Sequence, residues 1–243
     1  MQDNRYHVAN DSSIGELQTE GMHFYDAAFH INRLYAKRHG YVFLYQVPTK
    51  DAAFDRHPSW MKLQMIREKL ECCCQWALYM DSDSFLVMRN HALSLEGWMG
   101  QQQTEDLTLL LGNMYPYSEA DLRPGFDPVA VISENTPYLA ASYFCAGNLL
   151  FTRTKQSYEI LDYWFNVTIQ MDSSAAHDHP WEQFNLNKFV FPRYSSSFWV
   201  APGEVWNSKH GEFIRHLWHP YGDEFRTDET VKQLKEVLLH DNN

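Results

Sequence analysis

The sequence predicts an α/β fold, a mixed sheet flanked by helices, on two observations. Apolar residues at helical spacing over 22–39 and 59–75 alternate with short β-rich runs over 41–47 and 76–80. With a further strand expected over 5–9, the order is strand, helix, strand, helix, strand, which favours a parallel sheet with right-handed crossovers. The second observation concerns the number of domains. No repeat, low-complexity tract or linker interrupts the chain, so we expect the whole α/β fold to form one domain.

Similar patterns predict the rest of the chain. β-rich apolar runs indicate strands, and runs of helical period with capping residues indicate helices. The predicted strands are 107–111, 129–133, 142–152, short strands within 189–201, and 212–218; the predicted helices are 155–171, a shorter one opening at 178–183, and a terminal helix capped by Asp228. Residues 115–127 are predicted to form a loop.

The composition limits the classes of function. Hydrophobic residues make up 44% of the 243 residues and aromatic residues 15%, which supports a packed core. The formal net charge is -11 and no basic run occurs, so binding to a nucleic-acid backbone is not expected. No stretch reaches the roughly 18 apolar residues of a membrane span. We therefore expect either a soluble protein or one whose membrane anchor lies outside this sequence.

The cysteines indicate neither a metal site nor a disulfide framework. Cys72, Cys73 and Cys74 are adjacent on a predicted helix, and Cys145 is far away in sequence. Adjacent helical residues point to different faces, which is not the spacing of a zinc site. We expect all of these cysteines to be reduced, small residues that line the core.

Two carboxylates follow the predicted strand at 76–80, in the motif Asp81-Ser82-Asp83. Ligands bind at the carboxyl ends of strands in open α/β sheets, so this motif lies where a site is expected. Two carboxylates so close repel each other unless a positive charge lies beside them. A divalent cation with oxygen ligands is the simplest such charge, and cations of this kind often hold phosphates as well.

A set of short motifs then gives the chain a resemblance. The motifs stand in a fixed order: 35–41 (Tyr-Ala-Lys-Arg-His-Gly-Tyr), 60–62 (Trp-Met-Lys), 78–84 (Leu-Tyr-Met-Asp-Ser-Asp-Ser), 145–153 (Cys-Ala-Gly-Asn-Leu-Leu-Phe-Thr-Arg), 181–183 (Trp-Glu-Gln) and 213–217 (Phe-Ile-Arg-His-Leu). In order and spacing the chain resembles glycosyltransferase family 34, which holds fungal galactosyl- and mannosyltransferases and plant xylosyltransferases. The resemblance extends from about residue 5 to residue 220.

The resemblance implies a GT-A fold, which is a Rossmann-like sheet with a metal-dependent nucleotide-sugar site. It implies transfer of a hexose or pentose from a UDP- or GDP-sugar to a glycan hydroxyl with retention, with Mn²⁺ or Mg²⁺ as the metal. If an N-terminal anchor precedes this sequence, the expected location is the lumen of the Golgi or secretory pathway; otherwise it is the cytoplasm. The oligomeric state stays open.

The resemblance also implies roles for single residues. Asp83 would ligate the metal directly, and Asp81 would face the ribose or reach the metal through water, with Ser82 between them in the nucleotide motif. His216 would complete the metal site from the last strand. Gly147 would form a small-residue step beside the donor sugar and the acceptor.

Glu182 and Gln183 match an acidic-amide pair near the reacting sugar, and we predict that they are the catalytic residues. Retention proceeds either by front-face attack or through a carboxylate nucleophile, for which Glu182 is the candidate. The chain departs from the family by having Cys145 in place of a polar residue and Glu182 in place of aspartate.

A third departure concerns the phosphate contact. The family often has a phosphate-binding lysine after the metal-binding histidine, whereas residues 217–221 contain no lysine. Lys62, Arg215 and Arg226 are the candidate replacements. Two other functions stay open: an inactive nucleotide-sugar-binding accessory subunit on the same fold, and a haloacid-dehalogenase-like phosphatase, which also places Asp-x-Asp after an apolar strand.

Overall fold

The computed structural model describes residues 19–46, 56–101, 108–113, 144–171, 181–201, 203–217 and 222–241. The α-helices are α1 (Phe24–His39), α2 (Met61–Cys72), α3 (Leu95–Gln101), α4 (Lys155–Met171), α5 (Trp181–Asn185), α6 (Phe191–Tyr194), α7 (Gly203–Trp206) and α8 (Asp223–Asp241). The strands are β1 (Trp76–Met80), β2 (Ser84–Leu86), β3 (Leu109–Asn113), β4 (Phe144–Thr152), β5 (Phe198–Ala201) and β6 (Ile214–His216). Short 3₁₀ segments lie at Pro58–Trp60, Met88–Asn90 and Ser195–Ser197, and a π-helix at Leu186–Val190. The predicted strands at 5–9 and 129–133 and the loop at 115–127 lie outside the described residues.

The described strands form a mixed sheet, as the fold class predicted, but the parallel pairing expected from the order of the first strands is not found among them. Four strands lie in the order β1-β4-β3-β5, with β4 antiparallel to both neighbours and β3 parallel to β5. A separate two-stranded antiparallel sheet joins β2 to β6. The long β4 therefore organises the main sheet, and its pairing with β1 could not be read from chain order because such pairing is non-local.

The strand predicted over 41–47 is wrong for residues 41–46, which are described and are extended without ladder pairing. Their side chains still alternate: Phe43 and Tyr45 contact the ring of Phe29 on α1, while Val42 and Leu44 are 78% and 54% exposed. The β-rich composition that predicted a strand is therefore not sufficient to form one here. A strand also needs a hydrogen-bonded neighbour, and none is found for this segment among the described residues.

Three smaller predictions are also corrected. Within 189–201 only Phe198–Ala201 is a strand, because the residues before it are helical. The terminal helix begins at Asp223, one turn and more before Asp228. Cys72 and Cys73 are exposed at the end of α2 and do not line the core, although all the cysteines are free thiols as expected.

The core lies on both faces of the main sheet. Residues of β1 alternate between them: Ala77 and Tyr79 pack on one face, and Trp76, Leu78 and Met80 on the other. The first face is covered by α2 and α4, and the predicted apolar side of α2 is confirmed. Its buried apolar side chains are Leu63, Ile66 and Leu70, and Trp60, just before the helix, is buried with them. The second face is covered by an aromatic group in which Trp98, Trp206 and Phe213 stack on one another.

A third buried cluster joins the two ends of the chain. Ala27 and Ile31 of α1 pack with Phe85 of β2 and with Leu217 and Leu234, the last on α8. The small sheet is thereby held between α1 and α8, beside the carboxyl end of β1. Across the part of the chain that the structure describes, no helix combines the length and the apolar character needed to cross a bilayer.

Gly40 ends α1 and supplies a first test of the fold. It adopts φ 71, and its N–H donates to carbonyls of the last helical turn. A Cβ at this left-handed position is strained, so Gly40→Ala is expected to lower the free energy of unfolding by about 1 kcal/mol. Chemical denaturation measures this. Gly100→Ala is the control, since a Cβ there meets nothing within 4 Å and the φ is ordinary. Equal stability of the two variants would contradict the expectation.

His91 should make the fold sensitive to acid. Its side chain is 2% exposed, and burial, followed by the nearby charge of Arg38, lowers its pKa from 6.5 to about 4. The unfolded chain therefore binds a proton more readily, so stability is complete above pH 6.5 and is lost as pH falls towards about 4. The full loss is about 3 kcal/mol. Unfolding midpoints across this range should fall less steeply with acid in His91→Leu than in the wild type; parallel slopes would contradict this.

Candidate functional site

The Asp81-Ser82-Asp83 segment lies in the turn between β1 and β2 and is fixed by backbone hydrogen bonds. The N–H of Asp81 donates to the carbonyl oxygen of Gly147 at 2.7 Å, which extends the β1–β4 pairing by one residue. The N–H of Leu217 donates to the carbonyl oxygen of Asp83 at 3.0 Å. In the small sheet Ser84 pairs with His216. The two sheets therefore converge on this turn and bring His216 beside it.

Three predicted metal ligands meet at this point. One ligand atom each from Asp81, Asp83 and His216 all lie within 4.8 Å of one another. The Nε2 atom of His216 is 3.1 Å from Oδ1 of Asp83. The side chains of Asp81 and Asp83 are only 20% and 17% exposed, and that of His216 6%. Two carboxylates and an imidazole at this separation form a compact donor set that could hold one cation.

Gly147 packs directly against the cluster, with no room for a side chain of its own. It lies in β4, where the register against β3 shifts between Leu111 and Gly112. A Cβ at Gly147 would lie 2.5 Å from Cε1 of His216 and 2.9 Å from Oδ2 of Asp81. Both distances are shorter than real Cβ contacts. The predicted small-residue step is therefore placed directly against two of the predicted ligands.

Lys62 is a buried cation beside the cluster. Its Nζ lies 2.7 Å from Oε1 of Glu182 and 3.4 Å from Oδ1 of Asp81, and it donates to the carbonyl oxygen of Ala146 at 2.9 Å. Burial lowers the pKa of Lys62, but the charges of Asp81 and Glu182 outweigh burial and hold that pKa well above its ordinary value. The ammonium group thus joins two carboxylates that come from different elements.

Glu182 and Gln183 reach the site from α5. The side chain of Glu182 is 5% exposed, and its Oε2 has no hydrogen-bond partner among the described residues. Gln183 accepts a hydrogen bond from the N–H of Ala146 at 3.0 Å, which holds α5 against β4. Trp181, which precedes them, has a φ of 48, a conformation that non-glycine residues rarely adopt outside constrained sites. The predicted acidic-amide pair is therefore linked to Asp81 by Lys62, which contacts both Glu182 and Asp81.

The charges at the site favour a cation. Burial raises the pKa of Asp81, the charge of Lys62 lowers it, and the nearby Asp83 raises it again, so that the net direction is upward. Burial lowers the pKa of His216, but Asp83 and then Cys145 raise it, and the net pKa lies well above its ordinary value. Asp81 and His216 thus bind a proton more readily than usual in the absence of other positive charge. A divalent cation would satisfy the same need.

The family model of the galactosyl transferase GMA12/MNN10 family matches residues 8–193. The chain belongs to this family. It is therefore a glycosyltransferase, as the sequence predicted, and the phosphatase alternative is set aside. A sequence comparison with curated proteins finds no significant match.

A solved structure confirms the fold of this GMA12/MNN10-family chain. The structure is described as "Crystal structure of a glycosyltransferase involved in the glycosylation of the major capsid of PBCV-1". The two share 15% sequence identity with a TM-score of 0.55, over 85% of this chain and 91% of that chain. At this identity the likeness shows the fold alone, and it agrees with the predicted GT-A type of α/β architecture.

Sequence reasoning did not identify two residues of the family member's site. The hydroxyl of Tyr79 donates to Oδ1 of Asp81 at 2.7 Å, and Oδ1 of Asn207 lies 2.9 Å from Nδ1 of His216. Tyr79 stands two residues before Asp81 on β1, and residues two apart in a strand lie on the same face of the sheet. That spacing could have identified it. Asn207 stands in a turn, where no periodic pattern identifies it.

The structure separates the candidate phosphate-binding cations. Lys62 is engaged by Glu182 and Asp81, as described above. Arg215 pairs with Glu229 at 3.2 Å. Arg226 of α8 places a guanidinium nitrogen 3.6 Å from Oδ2 of Asp83, and it also pairs with Asp223. Arg226 lies beyond the matched residues 8–193, as does His216.

Proposed function

We propose that the chain transfers a hexose or pentose from a UDP- or GDP-sugar to a glycan hydroxyl, with retention and with the help of Mn²⁺ or Mg²⁺. One observation carries the proposal: Asp81, Asp83 and His216 converge within 4.8 Å, beside a buried carboxylate on Glu182. A Golgi or secretory-lumen location belongs to the proposal only if an N-terminal anchor precedes this sequence; without one the location is the cytoplasm.

The donor set fits the proposed cation. Carboxylate oxygens suit Mg²⁺ and Mn²⁺, and one imidazole is compatible with Mn²⁺. Because Gly147 has no side chain, His216 and Asp81 can lie against the backbone of β4 without a clash. The bound cation would neutralise the negative charge that develops on the nucleotide diphosphate as the glycosidic bond breaks. Asp81, Asp83 and His216 are the residues that would hold it.

The neighbouring residues orient the donor sugar in this proposal. Lys62 holds the carboxylates of Asp81 and Glu182 in place, because its Nζ lies 3.4 and 2.7 Å from their oxygens. The Oε2 of Glu182 is buried and has no hydrogen-bond partner among the described residues, and in this proposal it turns to meet a sugar hydroxyl or the anomeric carbon. Gln183 holds Ala146 and hence the backbone next to Gly147. Front-face attack and a covalent intermediate on Glu182 both use this arrangement.

Arg226 is assigned the diphosphate contact in place of the missing lysine. Its guanidinium lies beside Asp83, and its Nε has no hydrogen-bond partner among the described residues. Lys62 serves Glu182 instead, and Arg215 is paired with Glu229 on the side of α8. An arginine suits this role because its planar donors match phosphate oxygens.

The experiment combines binding with product analysis. Thermal unfolding is followed with Mn²⁺ and a panel of UDP-, GDP- and dTDP-sugars, for the wild type and for Asp83→Ala. A ligand that binds only the folded state raises the unfolding temperature by mass action. We expect one nucleotide class to raise it in the presence of Mn²⁺, and Asp83→Ala to lose the effect.

Turnover then separates an enzyme from an accessory subunit. The donor identified by binding is incubated with glycan acceptors, and the anomeric configuration of the product is read by NMR. Retained configuration supports the proposal. Binding without any product supports the accessory subunit, and inversion contradicts the retaining mechanism. No unfolding shift with any nucleotide would contradict the proposed site.

A further inference from the structure

We propose that Asn207 is a positioning residue that fixes the ring of His216, so that Nε2 is the atom offered to the cation. Asn148 supports it from β4. This inference deepens the proposed function and rests on it, because His216 is a metal ligand only in that proposal. Neither amide was indicated by the sequence as part of the site.

The geometry begins with a chain of three side chains. Oδ1 of Asn207 lies 2.9 Å from Nδ1 of His216, and the same oxygen accepts a hydrogen bond from Nδ2 of Asn148 at 2.9 Å. Asn148 and Asn207 are 0% and 1% exposed. A buried amide is costly unless it is hydrogen-bonded. The contact of Asn207 with the ring, and of Asn148 with Asn207, therefore indicates a specific requirement at this position.

The backbone holds both amides in place. Asn148 pairs with Met80, the residue before Asp81, so its position in β4 is set by the main sheet. The indole of Trp206 donates to the carbonyl oxygen of Asn148 at 3.3 Å. The next residue after Asn207, Ser208, accepts a hydrogen bond from the N–H of His216 at 3.2 Å. The turn after α7 therefore holds His216 by both its backbone and its ring.

The consequence concerns the two ring nitrogens. A neutral imidazole carries one proton, and the hydrogen bond made by one nitrogen decides which nitrogen is free. An acceptor oxygen at Nδ1 keeps the proton there. Nε2 lies 3.1 Å from Oδ1 of Asp83 and donates to that carboxylate while no cation is bound. With the Nδ1 proton held by Asn207, Nε2 is the nitrogen that would give up its proton and offer its lone pair to a cation. Outer contacts of this type orient metal-ligating histidines in proteins generally.

Cys145 explains why an acceptor is needed. Its Sγ lies 3.6 Å from the same Nδ1, and it also accepts a hydrogen bond from the N–H of Gly147 at 3.3 Å. Sulfur is a weak acceptor and a weak donor. Without the amide oxygen of Asn207, the thiol of Cys145 would be the neighbour of Nδ1. Because it is both a weak donor and a weak acceptor, it would stabilise neither tautomer of His216 strongly.

The first experiment reads the tautomer directly. Long-range ¹H–¹⁵N correlation spectra are recorded on the ¹⁵N-histidine-labelled, cation-free Asp83→Ala variant at a pH where the His216 ring is neutral, with the additional His216→Gln change to assign the signals. This variant lacks the carboxylate that competes for the ring proton at Nε2. We expect the proton on Nδ1, which faces Asn207. A proton on Nε2 would overturn the inference. This readout is independent of whether the protein binds a nucleotide or turns over.

The second experiment measures Mn²⁺ affinity by titration calorimetry. Asn207→Leu removes the acceptor at similar size, and we expect affinity to fall about 10- to 100-fold. Asn207→Asp keeps an acceptor oxygen and should restore affinity to near the wild-type value. Ser157→Ala is the control: it removes a side chain of 0% exposure that bonds the carbonyl of Thr152, at the opposite end of β4. It should leave affinity unchanged.

The outcomes separate the two proposals. If the wild type binds no Mn²⁺, the proposed function fails, while the tautomer still decides whether Asn207 orients the ring. If the wild type binds Mn²⁺ and Asn207→Leu binds it equally well, the inference alone fails. If Asn207→Leu does not fold, the tautomer in Asp83→Ala and the affinity of Asn207→Asp decide: a proton on Nδ1 with retained affinity supports the inference, and any other result overturns it.

Discussion

The affinity for Mn²⁺ should fall by about 100-fold or more when Gly147 is replaced by alanine. The added methyl group pushes two of the proposed ligands, His216 and Asp81, out of position. The new Cβ would lie 2.5 Å from Cε1 of His216 and 2.9 Å from Oδ2 of Asp81. Neither neighbour has free space: His216 is held by Asn207, and Asp81 by Tyr79 and Lys62. The ligand side chains must therefore separate.

The fold itself should survive this substitution. Overpacking of this kind costs about 1–3 kcal/mol, so the variant is expected to be less stable but folded. Titration calorimetry with Mn²⁺ and a denaturation curve are measured together. Gly100→Ala is the control, because a Cβ there meets nothing within 4 Å. Wild-type Mn²⁺ affinity in Gly147→Ala would show that the cation is not held by Asp81 and His216.

The largest expected loss of stability follows from replacing Lys62 with methionine. The ammonium group is 3% exposed and stands between the carboxylates of Glu182 and Asp81. Its removal leaves two largely buried negative charges without their partner. Breaking a buried ion pair in this way costs about 3–5 kcal/mol, whereas the methylene part of the side chain is kept by methionine.

Denaturation of the matched variants tests this expectation. Lys155→Met removes a lysine that is 93% exposed and pairs with Glu159 at 3.4 Å, so it should cost less than about 1 kcal/mol. Adding Glu182→Gln to Lys62→Met should recover part of the loss, because one unpaired charge is then removed. Lowering the pH should also reduce the difference from the wild type, because protonation of Asp81, whose pKa is raised by burial, removes one of the two unpaired charges. Equal costs for the two lysine variants would mean that Lys62 is not coupled to them.

The candidate site was largely visible in the sequence because its chemistry is local. Asp81 and Asp83 follow a strand directly, and α2 shows its apolar face through the spacing of Leu63, Ile66 and Leu70. These signals depend on neighbours within one or two turns of chain. The meeting of His216 with the two aspartates was available only through the resemblance to the family, since 133 residues separate it from Asp83.

The remaining features depend on pairings between distant segments. No local pattern shows that β4 pairs with β1 in the antiparallel sense, or that 41–46 lacks a strand partner among the described residues. Lys62 was a candidate for the phosphate contact because residues 217–221 lack the lysine that the family often has there. Its burial between Asp81 and Glu182 arises from the docking of α5, which the sequence of α2 does not encode.

The terminal helix α8 has a practical consequence for defining the catalytic unit. The family match ends at residue 193, yet α8 packs Leu234 and Val237 against α1 and places Arg226 beside Asp83. A fragment trimmed after residue 220 would keep Asp81, Asp83 and His216 while uncovering the apolar side of α1. Boundaries chosen from the family match alone would therefore cut through a unit that the tertiary structure makes continuous.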